Sequence, residues 1–273
     1  MNKTHYKLLV VDIDGTLLDK NGAISAEDKE ALAKVSQAGI PVSLSTGRAS
    51  QACRKLIGQL SLDGYHMFAD GAIVSDPATG EEVYVRPISA NLVRQIVEFV
   101  HRNEMHLDLF SSARYFIERE TWASNIRRDF FGLQPVVADF NQLWRQERII
   151  KGTLVVRSAE EKARVEQFRQ HFSRRLSLSV TKTPAYPEID FINVLTIGVS
   201  KKKALEALAR HLGLAMAEIM AIGDGSNDIS IISSAGLGVA MGNAPAEVKA
   251  VADYVTLDVD HSGVAAAIKR FLL

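Results

Sequence analysis

The sequence is poor in the features that mark secreted, membrane-spanning or nucleic-acid-binding proteins. Cys53 is the only cysteine in 273 residues, which excludes an internal disulfide and favours a reducing compartment. No apolar run approaches the roughly 18 residues that span a bilayer, and the first residues show no signal-peptide pattern. Lys plus Arg and Asp plus Glu number 32 each, a balance that argues against nucleic acid as the main partner. We therefore expect a cytoplasmic protein with neither a membrane nor a nucleic-acid partner.

The composition is that of an ordinary globular protein, and the length and the order of the predicted strands and helices suggest two domains. Hydrophobic residues make up 47% and charged residues 23%, and 273 residues exceed what one core usually takes. Strands alternate with helices in residues 1–83 and 192–273, which predicts a parallel sheet. Residues 84–191 instead show two helix-strand-strand sets, typical of an antiparallel sheet. We predict an α/β fold, a Rossmann-like parallel-sheet core domain (1–83 plus 192–273) with an inserted α+β domain (84–191).

The first predicted strand ends in two acids. The run Leu8–Leu18 reads LLVVDIDGTLL, an apolar stretch followed by Asp12, Asp14, Gly15 and Thr16. A short apolar run that stops at a turn signal is typical of a buried strand. Two carboxylates this close at the exit of a strand repel each other unless a cation lies nearby, so the pair is a first sign of a metal site.

Two more predicted strands end in polar clusters, Ser45–Arg48 and Gly223–Asp228, and a lysine run, Lys201–Lys203, opens the helix before the second. The carboxyl ends of parallel strands face one crevice. Carboxylates with an amide, a hydroxyl and a lysine suit Mg²⁺ and phosphate far better than they suit zinc. Each cluster alone has a plain explanation as a turn, a helix cap or a solvated face. Three of them at three strand ends predict a functional site.

Taken together, the clusters resemble the four motifs of the haloacid dehalogenase-like phosphohydrolases. Asp12–Thr16 matches the first motif, DxDGT; Thr46 in STGR matches the second, Lys201 the third, and Gly223–Asp228 the fourth, GDGxND. The motifs span both ends of the chain. The α+β insert between the second and third motifs resembles that of the Cof-type subclass, class IIB, in which it would be a cap domain that decides substrate specificity.

The resemblance implies a role for each motif residue. Asp12 would be the nucleophile that accepts the phosphoryl group, and Asp14 would be the general acid and base. The cofactor would be Mg²⁺. Its ligands would be Asp12, the backbone carbonyl of Asp14, Asp224 and Asp228; the phosphate would be bound by Thr46, Gly47, Lys201 and Asn227; and Arg48, Asp70 and Gly71 would influence substrate specificity.

Three positions depart from the family pattern. The third strand ends in Asp70-Gly71 where the family usually has Asn-Gly, and Asn193 and Lys202 stand where it often has an acid and a glycine. Lys203 is an alternative to Lys201, since the two lie on different faces of their helix. The candidates in the insert for reading the leaving group are Arg114, Tyr115, Trp122, Arg127, Arg128, Lys182 and Tyr186.

We therefore expect a Mg²⁺-dependent phosphatase that hydrolyses small phosphorylated metabolites, in particular sugar phosphates, through an aspartyl-phosphate. One alternative is a phosphomutase of hexose phosphates, in which a sugar hydroxyl instead of water captures the intermediate. Another is a catalytically silent sugar-phosphate-binding protein, against which the intact Asp12, Asp14, Thr46, Lys201 and Asp224 argue. The sequence gives no oligomeric state.

Overall fold

The computed structural model describes residues 5–183 and 186–273, and the chain divides into two compact units. The first unit comprises the residues up to Arg48, Arg54–Tyr84 and Ser200–Leu273, and the second comprises Ala49–Cys53 and Val85–Val199. Each unit has its own sheet. The division follows the change from a mainly parallel to a mainly antiparallel sheet.

Strands and helices alternate regularly at both ends of the chain. The strands are β1 (Leu8–Asp12), β2 (Val42–Ser45), β3 (His66–Phe68), β4 (Ile73–Ser75), β5 (Glu82–Val85), β6 (Leu107–Phe110), β7 (Tyr115–Ile117), β8 (Val136–Val137), β9 (Lys151–Val156), β10 (Leu176–Thr183), β11 (Tyr186–Thr196), β12 (Ile219–Gly223), β13 (Leu237–Ala240) and β14 (Tyr254–Val255). The helices are α1 (Ala26–Gln37), α2 (Arg54–Leu60), α3 (Ala90–Arg102), α4 (Trp122–Phe131), α5 (Phe140–Gln146), α6 (Ala159–Phe172), α7 (Lys201–Leu212), α8 (Ile229–Ile232), α9 (Ala246–Lys249) and α10 (Gly263–Phe271).

The first unit is built on an eight-stranded sheet with the order β14-β13-β12-β1-β2-β3-β4-β5. The strands from β14 to β3 in this order are parallel, and β4 is antiparallel to β3. All five residues of β1 are buried, as expected of a central strand with both faces covered. The predicted parallel-sheet core is confirmed.

Two helices of the first unit begin at a serine cap. The Oγ of Ser25 accepts the N–H of Asp28 at 3.0 Å, at the start of α1. The Oγ of Ser200 accepts the N–H of Lys203 at 3.3 Å, at the start of α7. Such a cap satisfies one of the N–H groups that the first helical turn leaves without an intrahelical partner. Because the cap is Ser200, Lys201 is the first residue of α7.

The second unit has a six-stranded sheet in the order β10-β11-β9-β6-β7-β8, antiparallel except for the pair β7 and β8. Its apolar core joins α3 and α6 to one face of this sheet. The expected α+β architecture is confirmed. β11 continues beyond residue 191, where the predicted insert ends, because Ile192 and Val194 belong to the core of this unit.

The two predicted helix-strand-strand sets of the insert do not cover residues 119–150, where the structure has α4, β8 and α5. These elements are short, so they carry little periodic signal. The start of α4 is a capping box, in which the Ser124 hydroxyl accepts the N–H of Thr121 at 2.9 Å. No helix within residues 5–183 and 186–273 is long and apolar enough to cross a membrane.

Candidate active site

The polar clusters predicted at three strand ends belong to three neighbouring strands of the first unit. β1 ends at Asp12 and lies between β2 and β12. Asp12 is in register with Ser45 on one side, and Val11 is in register with Ile222 on the other. Because these strands are parallel, the residues that follow them emerge at one edge of the sheet.

Lys201 is the cation at the centre of this edge. Its Nζ donates hydrogen bonds to Oδ1 of Asp12 at 2.7 Å, to Oδ1 of Asp228 at 2.5 Å and to the carbonyl oxygen of Ser45 at 3.1 Å. Its side chain is 1% exposed, whereas Lys203 lies exposed on the surface. The choice between the two lysines that the sequence left open is therefore decided in favour of Lys201.

Asp228 fixes the loop that follows β12. Its Oδ2 accepts the N–H of Gly225 at 2.9 Å and the N–H of Asp224 at 3.2 Å. A Cβ on Gly223 would lie 2.6 Å from the Cβ of Asp228, so this position requires glycine. Asp228 is fully buried, and its two oxygens are occupied by Lys201 and by these backbone N–H groups.

Asp224 joins the loop after β12 to the loop after β1. The Thr16 hydroxyl donates to Oδ1 of Asp224 at 2.7 Å. A Cβ on Gly15, which has φ +86°, would lie 2.3 Å from Oδ2 of Asp224. Gly15 leaves the space and Thr16 supplies the hydrogen bond that let the Asp224 carboxylate approach β1.

Asn243 is a site residue that the sequence analysis missed. Its Nδ2 donates to the carbonyl oxygen of Gly15 at 2.8 Å, and its Oδ1 accepts the N–H of Val259 at 3.0 Å. It thereby holds the loop after β1. The available signal was its position in the turn after β13, another parallel strand whose carboxyl end lies at the same edge.

The electrostatics of the cluster are those of a metal site. Oxygens of Asp12, Asp224 and Asp228 all lie within 4.8 Å of one another. Burial raises the pKa of Asp12 well above its usual value, the Asp228 carboxylate raises it further, and Lys201 opposes the shift. Burial also raises the pKa of Asp224, to about 6.

Lys201 by itself does not balance these acids. Burial disfavours its ammonium form, but the carboxylates of Asp12 and Asp228 outweigh that effect and raise its pKa. One lysine faces three carboxylates, so the site has an excess of negative charge that a divalent cation would neutralise. An all-oxygen donor set of this kind suits a hard cation, so the cluster fits a metal site.

Asp14, two residues after Asp12, contacts Arg48 instead of Lys201. Arg48 Nε donates to its Oδ2 at 2.9 Å, and Nη2 of Arg48 donates to its Oδ1. The Asp14 side chain is 52% exposed. The two acids of the first motif therefore have different surroundings, one buried against Lys201 and the other half-exposed against an arginine.

Lys201 and Asn227 lie at the start of α7 and after β12, and the other predicted phosphate and specificity residues lie on the loops after β2 and β3. Thr46 is buried, and its Oγ1 accepts the N–H of Arg48 at 3.0 Å. Asp70 has a left-handed backbone, with φ +53°, and accepts a hydrogen bond from Nδ2 of Asn227 at 2.9 Å. A Cβ on Gly47 would lie 3.0 Å from Asp70 Oδ1, and one on Gly71 would lie 2.5 Å from the Ser200 carbonyl oxygen.

The candidates in the second unit have mixed surroundings. Tyr115 and Arg127 are buried inside that unit, and Trp122 and Tyr186 pack against an apolar cluster that includes Phe191. Arg114 pairs with Glu147 and Arg128 with Glu120. The side chain of Lys182 lies outside the described part of the structure.

Comparison with known proteins decides the family. A family model described as haloacid dehalogenase-like hydrolase matches residues 9–268. The chain belongs to this family. The 5-amino-6-(5-phospho-D-ribitylamino)uracil phosphatase YcsE of Bacillus subtilis is 30% identical over 267 residues, which cover 98% of this chain and 96% of that protein.

Solved structures of this family share the fold over almost the whole chain. A haloacid dehalogenase-like hydrolase from Bacteroides thetaiotaomicron has 27% identity and a TM-score of 0.86, over 97% of this chain and 99% of that chain. The subclass IIB sugar phosphatase BT4131 has 26% identity and a TM-score of 0.76, over 97% and 98%. Membership of the haloacid dehalogenase-like family, in the Cof-type class IIB, is confirmed, and so is the expected enzyme class, a phosphatase.

Proposed function

We propose that this protein is a Mg²⁺-dependent phosphatase of sugar phosphates and related polyol phosphates, which works through an aspartyl-phosphate on Asp12. The observation that carries the proposal is the buried Asp12 carboxylate at the end of β1, held by Lys201 beside Asp224. Two named relatives support the substrate class, since one is a sugar phosphatase and the other acts on a phosphorylated ribityl chain.

The proposed reaction has two chemical steps. In the first, an oxygen of Asp12 attacks phosphorus, the bond from phosphorus to the ester oxygen breaks, and Asp14 protonates the leaving alkoxide. In the second, Asp14 takes a proton from water, the water oxygen attacks phosphorus, and the bond to Asp12 breaks to release inorganic phosphate. Lys201 and the N–H groups after Thr46 would hold the phosphoryl oxygens, on which charge spreads in the transition state.

The residues that would hold Mg²⁺ are Asp12, Asp224 and the backbone carbonyl of Asp14. Asp228 stands beside them, but its oxygens accept hydrogen bonds from Lys201 and from two backbone N–H groups. We therefore assign Asp228 to fixing Lys201 and the loop, although the sequence analysis included it among the ligands. Bound Mg²⁺ would neutralise the carboxylates and withdraw charge from the phosphoryl group.

We also propose that the inserted domain, residues 84–191 by the sequence division, selects the leaving group. A hydrolase must distinguish among many phosphate esters that share one phosphoryl group. Most of the motif residues of the first unit would contact the shared phosphoryl group, which leaves the rest of the substrate to other residues. We place the protein in the cytoplasm, since its one cysteine, Cys53, is a buried free thiol.

The experiment is phosphate release from a panel of hexose, pentose and polyol phosphates, with Mg²⁺ and with EDTA. We expect release that requires Mg²⁺ and that is absent in Asp12→Asn. Product analysis with a hexose 1-phosphate separates hydrolysis from mutase chemistry, because a mutase returns an isomerised phosphate instead of free phosphate. Release by Asp12→Asn, or release undiminished in EDTA, would contradict the proposal.

A further inference from the structure

Arg48 makes the two hydrogen bonds that fix the direction of the Asp14 carboxylate. Its Nε and Nη2 contact the two different oxygens of Asp14, with the Nε contact at 2.9 Å. A planar guanidinium that donates two parallel hydrogen bonds to one carboxylate fixes its orientation as well as its position. Within residues 5–183 and 186–273, these are the only side-chain hydrogen bonds of Asp14 in the structure.

Arg48 is itself held by its surroundings. Its side chain is 16% exposed, against 52% for Asp14. Its backbone N–H donates to Oγ1 of Thr46 at 3.0 Å, and its backbone carbonyl accepts the N–H of Ala69 at 2.9 Å. The fixed partner in this pair is the arginine, and the partner that would otherwise move is the half-exposed acid.

We propose that Arg48 is a positioning residue for the general acid Asp14 and does not act by reading the substrate. The inference rests on the proposed function, because it assigns Asp14 the proton transfer. A general acid must come within about 2.6–3.2 Å of the leaving oxygen. A half-exposed aspartate without a partner would be spread over several side-chain rotamers, so the fraction of molecules with the acid in reach would fall.

The chemistry of the leaving group separates positioning from substrate binding. Phenol, like the tyrosine side chain, has a pKa of ~10, so phenolate leaves more easily when it is protonated. The 4-nitrophenolate ion leaves readily without a proton. Phenyl phosphate and 4-nitrophenyl phosphate differ only in the nitro group, so both present the same phosphoryl group to Lys201.

The experiment compares kcat/KM for the two esters in wild type, Arg48→Gln and Arg48→Lys, with saturating Mg²⁺. The ratio kcat/KM covers the steps up to the release of the first product, and so reports phosphoryl transfer to Asp12. In Arg48→Gln we expect about a tenfold loss for phenyl phosphate, a part of the full general-acid contribution, and less than about a threefold loss for 4-nitrophenyl phosphate. Arg48→Lys should be intermediate, because an ammonium cannot form the two parallel bonds.

Arg54→Gln is the matched control, since Arg54 is exposed at the start of α2 and should leave both esters unchanged. Equal losses for the two esters in Arg48→Gln would overturn the inference and indicate a cation that binds phosphate. No loss for either ester would overturn it as well. The proposed function would stand in both cases, provided that wild type turns over and Asp12→Asn does not.

Discussion

Within residues 5–183 and 186–273, a buried cluster of acidic and basic side chains in the first unit can be compared with one in the second unit, and the two differ in their charge balance. In the first unit, Lys201 contacts Asp12 and Asp228, and Asp224 lies with them. In the second unit, one arginine faces one acid: Arg127 Nε donates to Oδ2 of Asp108 at 3.0 Å, with side chains 8% and 6% exposed.

The comparison shows that a raised pKa alone does not mark an active site. Burial raises the pKa of Asp108 just as it raises that of Asp12. In the second unit, however, the charges cancel, the Tyr115 hydroxyl donates to the remaining oxygen of Asp108 at 3.3 Å, and Arg127 lies 4.5 Å from the centre of the Phe191 ring. The first cluster has two uncompensated acids, and this excess of negative charge is the sign of a cation site.

Replacement of Asp12 by its amide should abolish activity without a loss of stability. We expect Asp12→Asn to lower kcat by at least about 10⁴-fold, because it removes the nucleophile. In EDTA its free energy of unfolding should be unchanged or higher, since Asp228 and Asp224 no longer repel a third carboxylate. Phosphate release and urea denaturation measure the two quantities, and a large loss of stability would show that the first cluster is structural as well.

Removal of the cation in the second unit should cost stability. Arg127→Met leaves Asp108 buried without its arginine, and we expect a loss of about 3–5 kcal/mol. Both tryptophans, Trp122 and Trp144, lie in the second unit, so tryptophan fluorescence follows its unfolding in urea. The control is Arg128→Met in the same helix, whose ion pair with Glu120 is largely exposed and should contribute less than about 1 kcal/mol.

His66 is a buried titratable side chain whose hydrogen bond is to a backbone N–H instead of a charged group, so it isolates the effect of burial on the pKa. Its Nδ1 accepts the N–H of Leu44 at 3.1 Å, and burial lowers its pKa to about 4. Since the unfolded chain has a histidine pKa of ~6.5, the unfolded state binds more protons between these values. The stability from neutral His66 is therefore present above pH 6.5 and is lost as the pH falls towards 4, by about 3 kcal/mol.

The pH effect of His66 can be separated from that of the acids by His66→Asn, whose amide oxygen accepts the same N–H without titrating. We expect the difference in urea stability between wild type and this variant to change with pH in that range. A constant difference would mean that His66 takes up its proton equally in the folded and unfolded states.

Metal binding should stabilise only a protein whose first cluster is intact. At Mg²⁺ concentrations tenfold above Kd, we expect a gain of about 1.4 kcal/mol over EDTA. Asp224→Asn should lose this gain, and Asp108→Asn, matched in chemistry but in the other cluster, should keep it. Thermal unfolding with and without Mg²⁺ measures both, and a gain retained in Asp224→Asn would exclude this carboxylate as a ligand.

The prediction from sequence was best where local pattern and local chemistry coincide. The apolar run of β1 and the acids at its end gave both the strand and the position of the site. The lysines of α7 show the limit of such patterns. The two-residue spacing of Lys201 and Lys203 does not say which side chain faces inward, and the contact with Asp12 identifies Lys201 as the buried one. The segment with α4 and α5 was missed because short elements have little periodicity.

Residue types at fixed spacing were enough to identify the family and the parallel-sheet core, because both leave their signal in the local pattern of the chain. Which charged side chains come into contact depends on the tertiary fold. It separated Asp12, buried against Lys201, from Asp14, held by Arg48. It also brought Asn243 against Gly15, from which it is 228 residues away in the chain. It also enclosed Tyr115 and Arg127 within the second unit. The physical reason is that pairing and desolvation of charges depend on distances in space, which spacing along the chain does not specify.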